Sequence, residues 1–173
     1  MGFLQKILNS NEELIEWQNA VMATKSQKLY VSRKQLEAAT VQMVSDNMRI
    51  FDDSAKLVNS TTKPDVFFSR MEVAEEKLSN LVRIEPYIKQ VKSITLNQSL
   101  SSLMNEFQKN KNSYINDFLY RYYWAVQDKA ESMKTEKGKL NQFQKFRESL
   151  EPFIDQLNDT NKKIFESMCQ QKI

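Results

Sequence analysis

The chain has 173 residues, enough for one domain with a real core, and its 25 basic and 22 acidic side chains leave a net charge of +3 that alone implies no polyanionic partner. It contains no histidine, two glycines, three prolines and one cysteine. Those counts exclude His-based catalytic dyads, HExxH zinc sites, di-iron sites built on Glu-x-x-His, glycine-rich phosphate loops, cysteine zinc sites and internal disulfides.

No Asn-Gly, Asp-Gly or Gly-Gly pair is present to form a tight hairpin, and the frequent residues are the helix formers Lys, Gln, Glu, Leu and Met. The expectation is an all-α fold, a mostly antiparallel bundle of four to six helices in a single domain spanning 1–173. The charge is spread unevenly, with 11 basic and 12 acidic groups in residues 1–86 against 14 and 10 in residues 87–173. Cys169 alone fits a reducing compartment. The opening "MGFLQKIL" is too short and too weakly basic for a signal peptide, and Lys6 stands where a myristoylation motif wants Ser or Thr. With no apolar run of membrane-spanning length, the expected location is cytoplasmic.

Phe3, Leu4, Ile7 and Leu8 have helical spacing, which fits a short segment docked on the body or, with less support, a membrane-surface contact through residues 3–8. Ser10 with Glu13 forms a capping-box pattern that opens a helix through Leu14, Ile15, Trp17 and Val21. From Ser32 to Ser60 a long helical pattern repeats Leu36, Met43, Ile50 and Leu57 every seven residues, flanked by Val44, Phe51 and Val58. Thr40, Asn47 and Ser54 fall in the middle of that apolar stripe. They should meet polar partners or admit a close helix, and Asn47 is a candidate for fixing register.

The next turn reads "STTKPDVFFSR". Thr62 with Asp65 is a short capping box, Pro64 suits the first helical turn, and Asp65 suits the positive end of the helix dipole. The short connection implies an antiparallel hairpin in which Arg70 comes level with Asp52 to Ser54, with Asp52 the preferred partner. Phe67, Met71, Ala74, Leu78 and Leu81 form the core stripe of the second arm until Pro86 breaks or kinks it. A third pattern runs from about Gln98 to Lys134, and Gly138 marks a C-cap or kink after it. The last pattern repeats Phe143, Leu150, Leu157 and Ile164 at seven-residue spacing, and Pro152 must bend or restart it. Such heptads suggest bundle packing and, less strongly, a homo-oligomeric coiled coil.

Two of these stretches, "DDSAKLVNSTTKPDVFFSR" and "INDFLYRYYWAVQDKAESMKTEKGK", cover roughly residues 50 to 140. They resemble paired segments of uncharacterised helical proteins from Gram-positive bacteria, their phages and mobile elements, written Thr-x-x-Pro-Asp-x-Phe-Phe-x-Arg and Lys-Thr-Glu-Lys-Gly-Lys. The resemblance implies a bacterial or phage-associated helical protein and carries over no catalytic residue.

Within the third pattern "FLYRYYWAV" concentrates five aromatic rings around Arg121. On a helical wheel Phe118, Leu119, Tyr122, Tyr123 and Val126 continue the core face. Tyr120 and Trp124 lie four apart on a strip shared with Ser113, Asn116, Asp117, Gln127 and Glu131. They are either edge rings of a helix contacted on several sides, a hot spot for a protein partner together with Arg121, or a platform for single-stranded bases. The last reading gains from the basic residues Lys134, Lys137, Lys139, Lys145 and Arg147, although at a helix C-terminus such a cluster would only complement the dipole. The carboxylate pairs Glu12/Glu13, Asp52/Asp53 and Glu75/Glu76 read as solvated faces, because adjacent helical residues point about 100° apart. No cofactor or metal is expected. The sequence thus points to a non-enzymatic interaction or accessory protein that binds another protein, with a nucleic-acid-associated role through residues 134–147 second.

Overall fold

The computed structural model describes residues 33–89, 91, 94–96 and 98–170. The readings made for residues 3–8 and for the helix opened by Ser10 and Glu13 lie outside the described residues. The fold is all-α, with helices packed on one another. In chain order the described residues form α1 (Arg33–Ser60), α2 (Pro64–Ile88), α3 (Leu100–Glu131), α4 (Glu136–Leu150), a 3₁₀ segment (Glu151–Gln156) and α5 (Asp159–Gln170).

The buried stripe of α1 is rotated from its heptad reading. Met43, Val44, Phe51 and Val58 are buried and so are Thr40, Asn47 and Ser54, but Ile50 is half-buried and Leu57 is exposed. A straight helix falls about 20° behind a seven-residue repeat with each heptad. Three heptads after Leu36, Leu57 has therefore turned about 60° away while the polar series stays central. Asn47 donates to the Met43 carbonyl of its own helix at 2.9 Å, so its polarity is satisfied locally.

Pro64 sets the phase of the α1–α2 turn. As the first residue of α2 it has no N–H to leave unpaired, and it drives the preceding residue toward the extended conformation that a cap requires. The Lys63 carbonyl accepts the Phe67 N–H at 2.9 Å, and the Lys63 N–H donates to Thr61 Oγ1 at 3.1 Å. The hydroxyl that braces the turn therefore belongs to Thr61; Thr62 is exposed. The Thr62–Asp65 box would need the helix to begin one residue earlier, whereas Asp65 does sit in the first turn as expected. Asp52 and Arg70 are both exposed. Among the described residues Arg70 takes part in no ion pair, and Asp53 reaches along its own helix to Lys56 at 3.7 Å.

The described residues cluster into two compact units, 33–52 with 74–105 and 53–73 with 106–170. Each division falls inside a continuous helix, α1, α2 or α3, which is why no linker marks it in the sequence.

In the first unit Met43 and Val44 of α1 pack with Leu81, Ile84 and Ile88 of α2 and with Leu100 at the start of α3. That start is capped twice. Ser99 Oγ accepts the Ser102 N–H at 3.0 Å, and the Glu85 carboxylate accepts both the N–H and the hydroxyl of Ser101, at 3.1 and 2.8 Å. The other Glu85 oxygen lies 3.0 Å from Lys89 Nζ, close enough for an ion pair but not aligned as a hydrogen bond. Burial raises the Glu85 pKa, but Lys89 and Ser101 outweigh it and hold the carboxyl below its ordinary value.

The second unit is built on rings. Phe67 of α2 stacks on Phe118 of α3 with centroids 4.1 Å apart, and Phe68 stacks on Phe153 of the 3₁₀ segment at 4.4 Å. Phe146 of α4 meets Tyr122 and Tyr123 of α3 and Phe165 of α5. Pro152 restarts the last helical pattern as expected, its ring ending α4 at Leu150 and leaving the 3₁₀ turn before α5.

Candidate functional site

The C-terminal half of α3 sorts its side chains as the wheel requires. Phe118, Leu119, Tyr123 and Val126 are buried, and Tyr122 is half-buried. The Ser149 hydroxyl spends its one proton on the Phe146 carbonyl at 2.9 Å, so in the 2.8 Å contact between Tyr122 and Ser149 the phenol is the donor.

Tyr120 and Trp124 stand apart from this core, 48% and 55% exposed. Asn161, near the start of α5, donates to Asn116 Oδ1 at 2.6 Å and to the Asn112 carbonyl at 3.3 Å, so α5 covers the flank of α3 that bears Asn112 and Asn116. Trp124 meets Tyr123 edge-on at 5.9 Å, and Tyr123 in turn touches Phe143 and Phe146 of α4. One ring edge is thus held by the core while both rings face outward.

Arg121 does not share their exposure. It is half-buried, and its Nη2 donates to the Val58 carbonyl at 2.7 Å. Val58 lies in the last turn of α1, where carbonyls lack a helical partner and the dipole favours a cation, so Arg121 ties α3 to the end of α1. Burial lowers its pKa and nearby Asp117 partly opposes this, yet a guanidinium remains charged at neutral pH. Arg121, expected to contact a partner, thus makes an internal tie as well.

The basic segment also lies otherwise than expected. Gly138 does not end a helix: Thr135 is the N-cap of α4, and its hydroxyl accepts the Gly138 N–H at 3.1 Å. Lys137 and Lys139 therefore sit in the first turn of a helix, at the end that disfavours cations, while Lys134 lies in the turn between the end of α3 at Glu131 and the Thr135 cap. Lys139 pairs with Glu136 at 2.9 Å, whereas Lys134 and Lys137 are exposed. Lys145 and Arg147 are exposed further along α4, with Arg147 in its last turn.

The aromatic strip of α3 and the basic residues, on the following turn and α4, thus belong to different elements. An open cleft of about 300 Å³ lies elsewhere in this unit, with Phe68, Met71 and Ile115 as its apolar wall and Glu72, Lys111 and Gln156 as its polar edge. The Gln156 amide donates to Glu72 at 3.3 Å. Among the described residues no group of three or more His, Cys, Asp or Glu side chains is placed to hold a metal ion, and no helix is long and apolar enough to cross a membrane. Cys169 is exposed, but burial of part of its surroundings is the main effect on its thiol and raises the pKa, which disfavours a reactive thiolate.

Two organising residues escaped the sequence reading. Asn161 is fully buried and forms a reciprocal cap with Asn158: its N–H donates to Asn158 Oδ1 at 2.8 Å, and its Oδ1 accepts the Asn158 N–H at 3.3 Å. The signal is "NDTN", a capping box with Asn in place of Glu. Glu85 carries a weaker signal, a lone acid amid "LVRIEPYI".

No family model, curated protein or solved structure matches this chain.

Proposed function

We propose that this is a non-enzymatic interaction protein that acts by binding another protein through the strip of α3 bearing Tyr120 and Trp124. The observation that carries the reading is the exposure of two large rings one helical turn apart on a rigid helix, where the rest of the aromatic run is core. Trp and Tyr concentrate binding energy when a partner desolvates them, and a ring already braced by its neighbour loses little side-chain entropy on binding. The absence of histidine and of glycine-rich loops from the sequence removes the common catalytic alternatives. The resemblance to bacterial and phage-associated proteins makes an accessory role the natural setting.

The test is capture of a partner on the immobilised chain, repeated with Tyr120→Ala and Trp124→Ala and with nuclease treatment. Loss of a nuclease-resistant partner with either substitution supports the reading. A partner retained undiminished by both variants refutes it. A nucleic-acid role ranks second, supported by exposed Lys134 in the turn after α3 and by exposed Lys137 in the first turn of α4, where the dipole does nothing to neutralise it. Binding through phosphates would weaken steeply with salt, by a log–log slope of about −0.7 per contact on single strands.

A further inference from the structure

The rings at the surface of α3 have charged neighbours, and their sign points to the kind of partner. At about 100° per residue, Asp117, Asp128 and Glu131 fall on the same side of the helix as Tyr120 and Trp124. All five side chains are exposed. Asp117 lies one turn before Tyr120, Asp128 one turn after Trp124, and Glu131 two turns after it. Along α3 itself the nearest ammonium on this side is Lys109, eleven residues before Tyr120 and so about 16 Å away along the axis, while α5 on the adjoining flank brings Lys162 and Lys163 balanced by Asp159 and Glu166. Glu106 accompanies Lys109. Arg121 takes up part of the field of Asp117, but its guanidinium is turned to the Val58 carbonyl. Glu131 accepts a hydrogen bond from the neutral Gln127 amide at 3.0 Å.

We infer that the occupant of this strip is a cationic segment of a protein, with Arg or Lys side chains set among apolar ones. Resting on the protein-binding reading above, this names the chemistry of the partner. Guanidinium and ammonium groups are attracted both to the faces of Trp and Tyr and to flanking carboxylates. The same carboxylates repel phosphates, so single-stranded nucleic acid is the wrong occupant for these rings even though bases can stack on aromatic side chains. The cations of the 134–147 segment stand on the following turn and helix rather than on this strip. Three carboxylates around two rings discriminate by sign, speed encounter with a basic partner and make that encounter sensitive to salt.

Selection of random 16-residue displayed peptides on the full chain tests this, with the Trp124→Ala chain as counter-target and Tyr120→Ala as a second if the first does not fold by circular dichroism. The expected peptides are rich in Arg or Lys and lose about 30-fold in affinity on Trp124→Ala. A chain carrying Asp117→Asn, Asp128→Asn and Glu131→Gln should bind them about 10-fold or more weakly, since each exposed pair is worth a factor of about 2 to 5. Oligothymidine of 16 nucleotides should compete with none of them. Peptides that depend on Trp124 but carry no excess of Arg or Lys, or that ignore the triple substitution, overturn the cationic partner and leave the protein-binding strip standing. Recovery of no peptide that depends on Trp124 or Tyr120 removes both.

Discussion

Glu85→Gln removes a negative charge while keeping size and an acceptor oxygen. In the native chain this carboxylate is 4% exposed and receives both the backbone N–H and the hydroxyl of Ser101 at the start of α3. Hydrogen bonds to a charged acceptor are worth about 1.5–3 kcal/mol each, and an anion at a helix N-terminus adds about 0.3–1 kcal/mol. A glutamine still accepts, so the substitution should cost about 2 kcal/mol at pH 7 rather than the whole sum. Glu85→Ala, which leaves both Ser101 groups without their acceptor, should cost more. The carboxyl is held below its ordinary pKa, so its contribution is fully present above the unfolded-state value of about 4.3. It disappears as pH falls through the lower folded value. Urea denaturation at pH 7, 5, 4 and 3.5 should show the gap between native and Gln chains closing at the acid end. Hydrogen exchange at the Ser101 amide should quicken in the variant. A gap under about 0.5 kcal/mol at pH 7, or one that widens with acid, would refute the double cap as an energetic feature.

Three further outcomes are expected. Asn161→Ala should destabilise by about 2–4 kcal/mol, because it breaks the reciprocal cap with Asn158 and strands the Asn116 side-chain oxygen; a thermal midpoint within a degree of the native chain would contradict this. Arg121→Met should cost about 1–3 kcal/mol through the lost Val58 carbonyl contact, with no effect on partner capture beyond that of destabilisation. Trp124→Ala should leave denaturant stability within about 0.5 kcal/mol, as expected for a surface site; a loss of 2 kcal/mol or more would mean the ring is structural.

The fold class was legible because composition alone removes the turns a sheet needs, and the core of α2 was legible because Phe67, Met71, Ala74, Leu78 and Leu81 are all buried. In α1 a seven-residue repeat names the stripe only approximately, since drift carries Leu57 to the surface. Separation of Tyr120 and Trp124 from the core face could be read from the wheel because α3 is regular there. The role of Arg121 could not, because its acceptor is a backbone carbonyl 63 positions away, which no side-chain pattern encodes. The glycine of "KTEKGK" misled for a local reason. Glycine punctuates helices at both ends in general, and here the deciding feature is the threonine three residues before it.

The placement of the unit boundaries has a consequence for dissecting the molecule. The second unit takes residues 53–73 from the α1–α2 hairpin and residues 106–170, while the first keeps the outer lengths of the same two helices. No single cut in the chain therefore releases either unit whole. A fragment that begins at 106 would keep Phe118 and Phe153 but forfeit Phe67 and Phe68, the rings they stack on, and it would lose the Val58 carbonyl that Arg121 holds. A fragment that ends at 105 would retain the hairpin loop with those phenylalanines left open to water. Partner mapping on this protein belongs to point substitutions in the full chain, because truncation would expose apolar rings that bind without specificity.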